Sequence, residues 1–208
     1  MSSSFKTEQE KFWAGEFGNA YSNRNIGDKW IASNTALFSR ILARTLGVAS
    51  VIEFGANIGL NLRAIRNLLP AAELTAIEIN KTAAESLVQW GHAEVFHQSI
   101  LDFEPSRQWD FVLIKGVLIH INPGCLPRVY DALYASSGRY ICVVEYFNPT
   151  PVTVPYHGQD DKLFKRDFAG ELLDRFNQLR LVDYGFTYHR DPNFPQDDTT
   201  WFLLEKDA

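Results

Sequence analysis

Apolar residues recur along this chain with two periods, and their alternation sets the expected architecture. Before Ser50 the spacing is helical. Thr7-Glu8-Gln9-Glu10 has the form of a capping box leading into FWAGEF. Leu37, Phe38, Ile41 and Leu42 share one face of a second helix, expected over 34–46 and stopped by Gly47. Beyond it, short apolar runs take turns with helical stretches. SVIEF, LTAIEI, EVFHQS, WDFVLIKG and RYICVVEYF read as five strands. Helices are expected over 58–69, over 81–90, and through Leu126, Val129, Tyr130 and Leu133.

Strands separated by helices of this length make parallel β-α-β units, with helices on both faces of the sheet. The near-continuous apolar runs of the first, fourth and fifth strands fit strands buried on both sides. After the fifth strand the pattern changes. The proline-bearing NPTPVTVPYHGQDDK reads as a long loop, and Phe164, Phe168, Leu172 and Phe176 at four-residue spacing read as one helix. LRLVDYGFTYHR and TTWFLLEK, joined by the polar DPNFPQDD, should be antiparallel neighbours. The expectation is an α/β domain with a seven-stranded, mostly parallel sheet that ends in an antiparallel strand pair. Residues 1–47 form a helical cap and 48–208 the core.

Composition narrows the function classes. With 46% hydrophobic and 22% charged residues in 208, the chain suits one soluble domain. The N-terminus lacks the apolar core of a signal peptide, and no apolar run reaches the roughly 18 to 20 residues of a spanning helix, so a cytoplasmic protein without a membrane partner is expected. A net charge of −5 disfavours a nucleic-acid partner. Cys125 and Cys142 have no metal spacing and read as free thiols; no metal site is expected. A small-molecule substrate and a monomer or homodimer remain.

Ligands of open α/β sheets sit beyond the carboxyl ends of the strands. There the chain reads VIEFGANIG. Gly55 allows positive φ and close approach of a ligand, Asn57 tolerates a left-handed backbone, and Gly59 lets the next helix pack closely. Glu53 beside this turn suits a ligand with positive charge rather than a diphosphate. Glu78 ends the second strand, 23 residues past Gly55, where an acidic side chain accepts from both ribose hydroxyls. Ser99, Ile100 and Asp102 could meet an adenine edge, and Lys115-Gly116 could pass beneath the adenosyl group. Ribose and adenine without a diphosphate, plus a cationic or zwitterionic tail, describe S-adenosyl-L-methionine, whose demethylated product is S-adenosyl-L-homocysteine (SAH).

With these pieces in order, the chain resembles class I S-adenosylmethionine-dependent methyltransferases, which have a Rossmann-like fold. TEQEKFWAGEFGNAY, KGVLIHINP, VVEYFNP and HGQDDKLFKRDFAGELLD resemble, more narrowly, the methylases associated with pseudaminic acid biosynthesis. Asn57 departs from the glycine that the broader family often has there. The resemblance implies that Gly55 and Gly59 border the methionine part, with Glu53 near its amino group. It also implies Glu78 on the ribose and Ser99 with Ile100 at the adenine. Trp13, Tyr21 and Arg24 match an N-terminal lid, with Arg24 facing the cofactor carboxylate.

For the acceptor side, His120 lies just past the fourth strand and is the candidate base. Glu145 and Tyr146 end the fifth strand, where alternation sends one of them towards the pocket. The polar stretch carrying Tyr156, His157, Asp160 and Asp161 supplies further substrate contacts. These residues suit methylation of a nitrogen or oxygen on a small polar molecule, with a sugar or nucleotide-sugar suggested by the narrower resemblance. Two rivals are a cofactor-binding partner without catalysis and a nicotinamide oxidoreductase. The incomplete Gly-x-Gly-x-x-Gly and the terminal antiparallel pair disfavour the second.

Overall fold

A computed structural model describes residues 5–24, 27–156 and 159–207. The N-terminal region folds as three helices. Helix α1 (Glu8–Ala14) starts with the expected capping box: Thr7 Oγ1 accepts from Glu10 N, and the Glu10 carboxylate accepts from Thr7 N at 3.2 Å. Helix α2 (Glu16–Arg24), which periodicity did not separate from α1, follows Gly15. Helix α3 spans Asp28–Leu42, starting and ending earlier than the expected 34–46; Leu46 is exposed.

The core then alternates as expected: β1 (Ser50–Phe54), α4 (Leu60–Leu68), β2 (Glu73–Glu78), α5 (Lys81–Trp90), β3 (Glu94–His97), β4 (Trp109–Lys115), α6 (Leu126–Ser136) and β5 (Ser137–Glu145). Asn80 caps α5 by accepting from Ala83 N, and Gly91 ends that helix at φ 72°.

The stretch after β5 differs from expectation. The supposed proline loop is a hairpin of β6 (Val152–Tyr156) and β7 (Gln159–Lys165), with Thr153 opposite Phe164. Pro155 sits where the pairing register shifts between Val154 and Tyr156, a place where a missing N–H is tolerated. Helix α7 therefore begins only at Phe168 and runs to Arg175. Asp167 caps it by accepting from Gly170 N at 2.8 Å, and Phe164 belongs to the hairpin.

Strands β8 (Leu179–Phe186) and β9 (Thr200–Lys206) complete a seven-stranded sheet of order β3-β2-β1-β4-β5-β9-β8. The five strands β3 to β5 are parallel; β9 runs antiparallel to both β5 and β8. Alternate residues of each strand feed opposite layers. Ile52, Phe54, Val112 and Ile114 pack with α6 and α7, whereas Val51, Phe111 and Leu113 pack with α3 and α4. Strand order reverses at β1, between β2 and β4, which opens a crevice at their carboxyl ends. Among the described residues no helix is long and apolar enough to cross a membrane, and both cysteines are free thiols.

Candidate functional site

The crevice begins with the turn between β1 and α4. Its backbone needs three left-handed residues, Gly55 (φ 75°), Asn57 (φ 49°) and Gly59 (φ 81°). Asparagine bears this conformation better than other side chains with a Cβ. Gly55 is required twice over, since a Cβ there would also come within 2.6 Å of Val117 Cγ2. Gly55 N and Ala56 N donate to Ile77 O at 2.9 and 3.0 Å, pinning the turn against β2.

Glu78 holds the next side of the crevice. One carboxylate oxygen accepts from Asn57 N and the other from Asn80 N, both at 2.7 Å. Burial pushes its pKa up while these backbone N–H groups oppose that shift. The carboxylate is thus fixed in place and retains lone pairs towards the cavity.

Helices α1 and α2 form a roof that is bonded to the same rim. Ser99 Oγ donates to Glu10 Oε1, and Ser22 Oγ donates to Asn57 Oδ1 at 2.6 Å. Asn80 Nδ2 donates to Trp13 O at 3.2 Å and to Asn19 Oδ1 at 2.8 Å.

Past β4 the chain makes a 3-10 turn, Leu118–His120. Glu145 accepts from Val117 N and Leu118 N, each at 2.8 Å, and so fixes this turn from behind. Burial raises the Glu145 carboxyl to about 7. The turn places His120, which is buried, with its ring 4.6 Å from that of Trp13; Trp13 in turn lies 5.3 Å from Tyr21.

These walls enclose a cavity of ≈ 600 Å³. Of the residues expected on its cofactor side, Gly55, Asn57, Glu78, Ser99, Ile100 and Lys115 line it. Trp13, Tyr21 and Arg24 line it from the roof, and His120 and Tyr146 from the other flank. Burial lowers the pKa of Lys115, opposed by the nearby carboxylates of Asp197, Glu53 and Glu145.

Four expected contacts do not line the cavity, the first being Asp102, which is half-exposed and paired with Lys6. Gly59 faces α5, where an added Cβ would lie 2.5 Å from Leu87 Cδ2. Glu145 sits behind the His120 turn and acts on the backbone rather than facing a substrate. Glu53 is fully buried below the cavity, bonded to Asn61 Nδ2 at 2.6 Å, and desolvation raises its pKa to about 8. His157 lies outside the described residues, as do the side chains of Tyr156, Asp160 and Asp161.

Several lining residues were not foreseen. Glu10 and Asn80 join the roof to the rim, while Asn61, Gln196 and Asp197 line the side below α3. Asn80 carried a signal, as a cap residue directly after a strand. Asp197 sits in DPNFPQDD, which reads as an ordinary polar connection.

No protein-family model matches the chain, and no curated protein matches it. Solved structures do. The plantazolicin methyltransferase BpumL in complex with SAH is 15% identical, with TM-score 0.68 over 96% of this chain and 94% of that one. Magnesium protoporphyrin IX methyltransferase from Synechocystis PCC 6803, with bound SAH, is 12% identical, with TM-score 0.70 over 95% and 97%. A SAM-dependent methyltransferase from Leishmania major is 15% identical, with TM-score 0.71 over 96% and 82%. The chain has the Rossmann-like fold of these class I enzymes.

Proposed function

We propose that this protein transfers a methyl group from S-adenosylmethionine to a nitrogen or oxygen of a small polar molecule. The observation that carries the reading is the cavity rim. A glycine too close to Val117 for any side chain, a Glu78 carboxylate locked by two backbone N–H groups, and Ser99 with Ile100 follow one another at the ends of β1, β2 and β3. That order fits a ligand with a close-lying tail, a ribose and an adenine. The SAH held by the similar folds supports the same ligand.

In this reading Glu78 accepts from the ribose hydroxyls, Ser99 and Ile100 border the adenine, and Arg24 on the roof faces the cofactor carboxylate. When bound, S-adenosylmethionine supplies a methyl already activated on a sulfonium, so that the protein's task is mainly alignment. His120 takes the proton of an acceptor that arrives as a hydroxyl or an ammonium. The turn held by Glu145 keeps its ring against Trp13 in the flank of the cavity. Trp13, Tyr21 and Tyr146 exclude water and offer aromatic faces to positive charge passing from sulfur to acceptor. For the acceptor, the narrower sequence resemblance suggests a sugar or nucleotide-sugar of surface-glycan biosynthesis.

Thermal unfolding with S-adenosylmethionine, SAH and NADH in parallel tests the cofactor. At about 100 times its dissociation constant a ligand stabilises by about 2.7 kcal/mol, which raises the midpoint by roughly 5 to 10 °C in a domain of this size. A shift with the adenosyl ligands alone is expected. A shift with NADH alone would overturn the reading. Turnover against amines, hydroxylated acceptors and amino sugars then identifies the acceptor class.

A further inference from the structure

Two oxygens below the cavity have no partner among the described residues. Glu53 Oε1 meets Asn61 Nδ2 at 2.6 Å, yet Glu53 Oε2 and Asn61 Oδ1 are both buried with no hydrogen-bonding group of their own. These are the remaining oxygens of two planar groups already joined on one side. Two oxygens that only accept cannot satisfy each other, but a proton on one of them makes a donor. A carboxylic acid and a primary amide then close a ring of two hydrogen bonds, amide N–H to acid carbonyl and acid O–H to amide oxygen. Each buried acceptor left unpaired costs about 1 to 3 kcal/mol, so an ionised Glu53 would carry two such penalties as well as a desolvated charge.

The surroundings agree with a neutral group. Lys115 on β4 favours ionisation, but its charge is shared with Asp197 and Glu145, and Glu78 on β2 opposes ionisation of Glu53. Desolvation outweighs the two influences that favour ionisation, the hydrogen bond from Asn61 and the charge of Lys115.

We propose that Glu53 is a neutral carboxylic acid at neutral pH, closed with Asn61 into a two-hydrogen-bond ring that positions the ligand turn and supplies no charge to the ligand. Glu53 lies one residue from the end of β1 and Asn61 in the first turn of α4, so the ring spans the Gly55–Gly59 turn at its base. Ionisation opens the ring and releases the turn. The affinity of the cavity for an adenosyl ligand therefore falls as pH rises past the Glu53 transition. This last consequence rests on the proposed cofactor; the state of the acid does not.

Two measurements test the proposal. The infrared difference between wild type and Glu53→Gln at neutral pH should show a protonated carboxylic acid carbonyl, which wild type loses with a midpoint near 8. A carboxylate band in its place overturns the proposal. Calorimetry with SAH supplies the second readout, because glutamine both donates and accepts and so rebuilds the ring. Glu53→Gln should bind SAH within about threefold of wild type at neutral pH and hold that affinity at about pH 9, where wild type weakens by roughly tenfold. A tenfold loss in Glu53→Gln at neutral pH, or a wild-type affinity that stays flat, overturns the positioning role. If SAH binds neither protein, the cofactor reading fails while the infrared band still decides the acid. Should Glu53→Gln not fold, carbon NMR titration of carboxyl-labelled glutamate in wild type shows directly whether the acid holds its proton at neutral pH.

Discussion

At the scale of single residues, the site divides into groups that face the cavity and groups that hold others in place. His120 belongs to the first. His120→Ala should lower turnover by about 10²- to 10⁴-fold while leaving SAH affinity within about twofold, as single-turnover kinetics and calorimetry would show. Equal losses in both would instead make the histidine a packing partner of Trp13. Glu78 belongs to both groups. Glu78→Ala strips the acceptor from two backbone N–H groups, so denaturant unfolding should show a loss on the order of 2 to 6 kcal/mol along with weakened SAH binding. Residues of this kind were legible in the sequence in proportion to how special their backbone demand is. Asn57 between two glycines announces a left-handed turn, and Glu78 announces itself by its place after an apolar run. Glu145 did not. Alternation shows that a strand-end carboxylate turns one way or the other, but its partners are N–H groups 27 and 28 positions away, beyond any local pattern.

At the scale of elements, the roof helices are attached through the ligand rim itself. Glu10 holds Ser99, Ser22 holds Asn57, and Asn80 holds the end of α1. Ser22→Ala with Ser99→Ala removes two of these three ties. Amide exchange in 8–24 should then speed up by at least about tenfold with no change in β1 or β4, and SAH should slow it again. Unchanged exchange would mean that apolar packing alone seats the roof. The parallel strands and their helices were readable because each is a separate block with its own period and stop signal. The β6–β7 hairpin was not, since Pro151 and Pro155 argue against strands unless a register shift is there to take the missing N–H. The same ambiguity assigned Phe164 to α7: an apolar residue every fourth position also fits the end of a strand followed by a helix. Asp167, a cap residue between them, marks the true boundary.

At the scale of the whole molecule, buried acids tie stability to pH. Glu53 and Glu145 are raised from 4.5 to about 8 and about 7. Between those values and 4.5 the folded chain holds protons that the unfolded chain has released. Their contribution is therefore fully present on the acid side of the window and is lost as pH rises through the folded values. Thermal midpoints should fall between about pH 5.5 and 8.5, and more steeply in wild type than in Glu53→Gln. Parallel slopes for the two proteins would mean that Glu53 is ionised throughout. The order of the strands was partly legible at this scale. Two strands joined without a helix must pair, but nothing local says that the later one enters between the earlier one and the rest of the sheet.

That insertion bears on how the chain comes off the ribosome. Strand β8 is synthesised before β9, yet among the described residues β9 provides its only ladder and its only link to β5. The parallel half, β1 to β5, can assemble as it emerges, while β8 must wait with its hydrogen-bonding edge vacant. The exposed edge of β5 waits with it. During that interval the nascent protein offers two unpaired strand edges to chaperones or to another nascent chain, and the seven residues of β9 end the interval by filling both at once.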